Sequence, residues 1–354
     1  MTRFFEGTKV IELASVLAGP SVGMFFSELG ATVVKIENKI TGGDVTRNWR
    51  TTKEASEGPS AYYSAINFKK EILFLDLTTE DGKQKIREIV QDADIVLSNY
   101  SRRVAEKLGV TYEALSANNG ALIFLQLDGF ETQNKQAYDV VLQAETGWIS
   151  MTGSTGNPAK LPVALIDVIA GHQLKEAALL ALLKRERTGK GSFVSCNLER
   201  ASLSALANQA TNYLMNGEVA KPIGTLHPNI APYGDAFNTS DSKTLVLAVG
   251  SEAHFSRLLE SLNLDMRPEF ETNSKRLANR TDLQAYLSQP IAKLRAEELE
   301  SILSKNEIPF GFVRDLKEVL ESRAAQDMIL EETTEGRETK RLSGNAFNSD
   351  FLNF

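Results

Sequence analysis

The sequence predicts an α/β fold, a doubly wound parallel sheet with a smaller α+β domain, and three observations predict it. Two strand-like runs, Thr8–Leu13 (TKVIEL) and Ala31–Glu37 (ATVVKIE), flank a helix-forming stretch, ASVLAGPSVGMFFSELG. Such a β-α-β unit of about thirty residues opens a parallel sheet. Strand and helix patterns then alternate to about residue 200, and past residue 215 the chain turns rich in Gly, Pro and Asn.

Taken in order, Gly19-Pro20-Ser21 opens the first helix, because Pro suits a first turn, and Gly30 closes it. Glu71–Leu77 (EILFLDL) reads as a strand, Thr79–Ala93 as an amphipathic helix and Ile95–Asn99 as a strand. A short helix begins at Val104–Leu108, and Gly120–Leu127 (GALIFLQL) is the next strand. In the stretch KLPVALIDVIAGHQLKEAALLALLKRERTGK, positions 174, 177, 178, 181 and 182 are all Leu or Ala, which gives one buried helix face. Phe193–Leu198 follows as a strand. The large domain is read as 1–205, completed by 325–354, with a linker at 206–224 and a small domain at 225–320. The small domain holds a strand at Lys243–Ala248 and helices from Ala253 to Leu303. The charge-alternating tail, ILEETTEGRETKRLSGNAF, predicts exposed strands or loops.

Composition narrows the function. Net charge is −7, which argues against a partner held by neutralising phosphates, so no nucleic acid is expected. There is no run of 18 apolar residues and no signal-peptide core, so neither membrane span nor export is expected. The single cysteine, Cys196, excludes an internal disulfide, and His172, His227 and His254 are too scattered for a metal site. These features predict a cytoplasmic protein.

Several residues are candidates for chemistry. The loop after the first strand reads A-G-P-S-V-G rather than G-x-G-x-x-G, which argues against a nicotinamide oxidoreductase. Glu37 could mimic a ribose-holding acid, and Lys69-Lys70, Arg102-Arg103 and Lys107 could each reach a phosphate or simply face solvent. Asp167 stands out as one ionisable group in an apolar run, LPVALIDVIAG, where a strand-like pattern hands over to a helix. As a structural residue it would be the helix N-cap. As a functional one, the helix terminus would keep it ionised yet poorly hydrated, a usable nucleophile. His172, five residues on, points away from it, which speaks against an Asp-His pair. Cys196 reads as a small buried hydrophobe, and Ser21 lacks a G-x-S-x-G setting.

Many ordered segments resemble one family, the class III CoA-transferases of the carnitine and formyl-CoA transferase group. They are VIELASVLAGPSVGMFFSELGATVVKIE, GGDVTR, FLDL, NYSRRVAEKLG, AYDVVLQAETGWISMTG, PVALIDVIAG, LLKRERTGKG, GTLHPNIAPYGDAF and NEIPFGFVRDLKEVL. The resemblance implies a Rossmann-like large domain and an interlocked, ring-like homodimer. It implies that Asp167 attacks an acyl-CoA thioester to give a mixed anhydride, then an aspartyl-CoA thioester, from which CoA passes to an acceptor carboxylic acid. CoA is then a substrate, and no metal or prosthetic group is implied. By position, Leu17, Ala18, Leu75 and Thr78 resemble the family's CoA contacts. So do Asn99, Tyr100, Ser101 and Lys107, and further on Gln136, Ala137, Tyr138 and Asp139. Lys107 is the phosphate partner best suited by chemistry. Relatives often carry Arg where this chain has Asn38; Lys39 stands beside it. Gly224 best matches the family's mobile glycine loop.

The nearest rival is the α-methylacyl-CoA racemase of the same superfamily, which shuttles a proton between Asp and His. Racemases carry His at the place of Tyr138, and a phenol with a pKa near ~10 is a poor acid-base partner at neutral pH. A CoA-binding protein without chemistry is the alternative from another class; it would tolerate Asp167→Asn.

Overall fold

Apolar runs of parallel-strand length build the main sheet: β1 (Lys9–Leu13), β2 (Thr32–Asn38), β3 (Lys70–Leu75), β4 (Ile95–Ser98), β5 (Ile123–Asp128) and β6 (Ser192–Asn197). In this computed structural model, residues 4–132, 135–348, 350 and 352 are described. The strand order is β3-β2-β1-β4-β5-β6, with every neighbouring pair parallel. The order therefore reverses between β1 and β4, where a doubly wound sheet leaves a crevice at its carboxyl edge.

Both faces of the sheet are covered, which is why its strands are apolar without a clean alternation. Val10, Ile95 and Ile123 lie on one face, against α1 (Ala18–Glu28) and α5 (Leu165–Thr188). Their neighbours Ile11, Val96 and Phe124 lie on the other, against α2 (Glu80–Val90) and α3 (Arg102–Leu108). The helix limits follow local chemistry. Thr79 caps α2 by accepting from the Gly82 amide at 3.1 Å, and Gly109 and Gly189 end α3 and α5 at φ 69° and 68°.

The expected hand-over from strand to helix near Asp167 is not observed. Residues 161–164 are irregular, and the remainder of the apolar run is the first turns of α5. Ile166, Ala170, Leu174, Ala178 and Ala181 make one buried stripe along that helix. A short apolar run cannot be assigned to strand or helix by periodicity alone, and here the stripe simply begins earlier than the run suggests. Gly171 lets α1 approach α5, since a Cβ there would lie 2.3 Å from Ser21 Oγ.

The chain divides into two compact units, Met1–Thr152 with Pro158–Ala220 and Ala324–Phe354, and Gly153–Asn157 with Lys221–Arg323. Within the expected linker, Ala207–Asn216 is helical. The second unit has an antiparallel sheet of β7 (Tyr233–Asn238), β8 (Thr244–Ala248) and β9 (Phe310–Phe312), with β8 in the centre. Phe237, Leu245, Phe255, Leu258, Leu287 and Leu303 are part of its own core. The charged tail folds as a hairpin, β10 (Ile329–Thr334) and β11 (Arg337–Leu342), in the first unit. Among the described residues no helix is long and apolar enough to cross a membrane.

Gly23 on α1 faces the buried Glu12 of β1, and a Cβ at Gly23 would stand 1.9 Å from Glu12 Oε2. Gly23→Ala should therefore destabilise the protein by about 1–3 kcal/mol, as overpacking does. Urea unfolding of the variant measures it, and an unchanged midpoint would count against the close approach.

Candidate active site

The site begins with the loop that leaves β1. Several of its backbone groups are met by side chains from elsewhere. Lys35 Nζ donates to Ala14 O at 2.7 Å. The Asn99 side chain accepts from Ser15 N at 3.3 Å and donates to Ser15 O at 3.0 Å. Val16 N donates to the Asp44 carboxylate at 3.2 and 3.4 Å, and Lys70 Nζ donates to Pro20 O at 2.8 Å. Asn99, at the end of β4, thus ties the two loops that diverge at the switch point.

Beneath this loop lies a buried charge network that composition did not reveal. Lys35 pairs with Glu12 at 2.8 Å and Asp44 at 3.1 Å, and Lys70 pairs with the other Glu12 oxygen at 2.8 Å. Burial opposes the charge on Lys35, but Glu12 and Asp44 together hold its pKa above the usual lysine value. For Lys70 burial wins and pulls the ammonium down to about 8. Lys70 is therefore a core residue and not a surface phosphate partner. Glu37 is likewise no ribose ligand: it is buried, bonded by Arg47 Nε at 2.6 Å and by the Tyr63 hydroxyl at 2.7 Å. A strand sequence shows residue type but not burial, and the parallel sheet covers both faces.

Asp167 is the third residue of α5 and only 6% exposed. It is not the N-cap. That position is Ala164, which offers no side chain to the helix. The capping is done by Asp139, the first residue of α4 (Asp139–Glu145): its Oδ2 accepts from Ile166 N at 2.8 Å and Asp167 N at 3.4 Å. Gln143 Nε2 donates to Asp139 Oδ1 at 2.6 Å and fixes it. Asp167 thus sits at a helix start without spending its carboxylate on the amides, and among the described residues no donor bonds its oxygens. Burial and then the charge of Asp139 push its pKa up to about 7. The expected burial is found, but the expectation that the helix terminus keeps the group ionised is corrected, because a helix terminus contributes only about 0.3–1 kcal/mol in favour of the anion.

Eight of the other expected contacts fall into two hollows of the first unit. Asn99, Ser101, Gln136, Ala137 and Tyr138 line a cavity of about 1100 Å³, together with Val16, Arg102 and Arg103. Leu75, Thr78 and Tyr100 line a small hollow at the ends of β2 and β3. Asp167 is not in the lining of the large cavity; its connection to it is the Tyr138-Asp139 dipeptide. Leu17 and Ala18 start α1, Lys107 is exposed in the last turn of α3 and lines neither hollow, and Lys39 is exposed. His172 is exposed on α5. Gly224 adopts φ 68° and donates to Gly153 O at 2.7 Å within the second unit.

Two aromatic residues were not anticipated. Burial, then the charges of Asp167, Asp139 and Asp44, holds the Tyr62 phenol above its usual pKa, so this ring lies in the field of all three carboxylates. Trp49 packs edge-on against it at 5.1 Å. Both come from a segment without periodicity, where the sequence carries no signal of a site.

The family model for CoA-transferase family III matches residues 5–351. The chain belongs to CoA-transferase family III. This family III CoA-transferase is 35% identical over 326 residues to the succinate–glutarate CoA-transferase of Agrobacterium fabrum, covering 89% of the chain and 81% of that protein. It is 31% identical to the succinyl-CoA:glutarate CoA-transferase of Mus musculus, covering 89% and 73%. The fold matches a CAIB/BAIF family protein from Brucella suis with a TM-score of 0.84 and 33% identity, over 99% of the chain and 94% of that structure.

Two outcomes follow for this transferase. An Asp whose folded pKa is near 7 rather than 3.8 keeps its proton better folded than unfolded, so its stability contribution is full below pH 3.8 and lost as pH rises through 7. Each pH unit in that window is about 1.4 kcal/mol. Asp167→Asn should therefore raise the melting temperature at pH 8 and change it little at pH 4, read by calorimetry. Asp139→Asn keeps an oxygen for the α5 amides but removes the repelling charge. The acid limb of its pH–rate profile should move to lower pH; an unmoved limb would rule out the repulsion.

Proposed function

We propose that the enzyme transfers CoA from an acyl-CoA to a small dicarboxylic acid through covalent intermediates on Asp167. The observation that carries this reading is a buried carboxylate at a helix start whose amides another carboxylate has already taken. Ionised Asp167 attacks the thioester carbonyl; the C–S bond breaks, giving the mixed anhydride and CoA thiolate. The thiolate attacks the Asp167 carbonyl of the anhydride, releasing the donor acid and leaving an aspartyl-CoA thioester. The acceptor carboxylate attacks that carbonyl and expels CoA thiolate, giving a second anhydride; the thiolate then attacks the acceptor's carbonyl in it, forming acceptor-CoA and releasing the Asp167 carboxylate. Thioester free energy is kept at each exchange, provided water stays out. The burial that raises the Asp167 pKa serves that end.

The names of the Agrobacterium and mouse relatives support succinyl-CoA as donor and glutarate as acceptor class. Leu75, Thr78 and Tyr100 would take one end of CoA and Asn99, Ser101 and Gln136–Tyr138 its other contacts, with Lys107 at a phosphate. The reading includes a homodimer and a cytoplasmic location. Racemase chemistry would need a histidine partner for Asp167, and His172 on the same helix faces solvent.

Asp167→Asn should reduce transfer from succinyl-CoA to glutarate by about 10³-fold or more, the scale of losing a covalent nucleophile, while CoA still binds by calorimetry. Undiminished turnover would overturn the mechanism. Hydroxylamine added during turnover should convert Asp167 to its hydroxamate, and a turning-over enzyme whose Asp167 peptide stays unmodified by mass spectrometry would do the same.

A further inference from the structure

Val16 is the one β-branched residue among the described non-glycine positions with a left-handed backbone, at φ 73°. A valine resists that conformation strongly, because its branched Cβ crowds the backbone. Such a conformation persists only where the surroundings over-determine it. Here they are explicit: the Val16 amide is held by both oxygens of Asp44. Asp44 cannot turn away, since its Oδ1 also accepts from Thr46 N at 3.0 Å and Thr46 Oγ1 at 2.8 Å. Its Oδ2 is paired with Lys35 at 3.1 Å, and Lys35 is anchored by Glu12. Val16 lines the large cavity next to Asn99, and Leu17 and Ala18 follow it directly.

We propose that Asp44, backed by Lys35 and Glu12, is a positioning residue for thioester binding, which forces the Val16 backbone into the conformation that shapes the cavity wall. A core needs no charge for stability, since apolar groups of equal volume do as well or better. Apolar groups cannot direct an amide, however, and this network delivers its bonds to the backbone of one loop and of the helix turn that follows it, at Ala14, Val16 and Pro20. The inference rests on CoA occupying that cavity, but not on covalent chemistry at Asp167.

The test uses the full-length enzyme and coenzyme A itself as the calorimetric probe. Asp44→Asn should weaken CoA binding roughly tenfold or more, the scale of one strained backbone residue. Glycine adopts the left-handed region freely, so Val16→Gly added to Asp44→Asn should restore most of the affinity without restoring the melting temperature. A purely structural Asp44 would show no such rescue. Val16→Pro leaves all four charges in place but fixes φ near about −65° and removes the amide hydrogen; it should weaken binding as Asp44→Asn does, and it serves should that variant not fold. Unchanged affinity in Val16→Pro, or a double variant no better than Asp44→Asn, would overturn the proposal. Loss of turnover in Asp167→Asn is independent of all three results.

Discussion

The first turn of a helix presents amide hydrogens that some oxygen must accept, and in this enzyme the oxygen belongs to Asp139. That single assignment decides the character of the site. A carboxylate on α5 would ordinarily take those amides itself and become a low-energy, ionised cap. With the amides already taken, the buried Asp167 has no donor on its oxygens among the described residues, and burial and the charge of Asp139 push its pKa up to about 7. An anion formed there has few favourable contacts to lose, which suits the nucleophile proposed for this position.

A few residues away the same fold treats carboxylates in the opposite manner. Glu12, Asp44 and Glu37 are as buried as Asp167, yet each faces cations or donors: Lys35 and Lys70, Thr46, Arg47 and Tyr63. These groups are locked. Tyr62 feels both kinds of environment, being in the field of Asp44 as well as of Asp139 and Asp167. Against burial, Lys35 and Thr46 hold the Asp44 carboxyl below its usual pKa while that of Asp167 is raised, and environments that push two carboxyl groups toward opposite protonation states mark a working site more clearly than any one residue does.

What the sequence made legible is what local periodicity controls. The first β-α-β unit, the strands near residues 71, 95, 120 and 193, and the buried stripe of α5 all follow from spacing. Asp167 was visible too, because a lone carboxylate in an apolar run is conspicuous. Its capping partner was not: Asp139 lies 27 positions from Ile166 and meets it only through the packing of α4 on α5. Lys35, Glu37 and Lys70 occupy strands whose two faces are both covered, so residue type alone did not show that they are core. Eight of the twelve contacts expected from resemblance were divided by the fold between two hollows, with segment 99–101 contributing to both, while Leu17, Ala18, Lys107 and Asp139 line neither.

The costs are concentrated on one edge of the sheet. An unpaired buried carboxylate and a left-handed valine each oppose folding by a few kcal/mol at the order of magnitude. Both stand near the carboxyl ends of the strands, where β1 and β4 part. The strands behind them carry Val10, Ile11, Ile95, Val96 and Leu97, all fully buried. A side chain of that size contributes about 1.5–3 kcal/mol when removed from water, so a few such residues offset the strained edge. A sheet covered on one face only would bury half as many of them. The double covering is therefore what lets this fold hold a buried acid and a strained loop at one edge of the sheet.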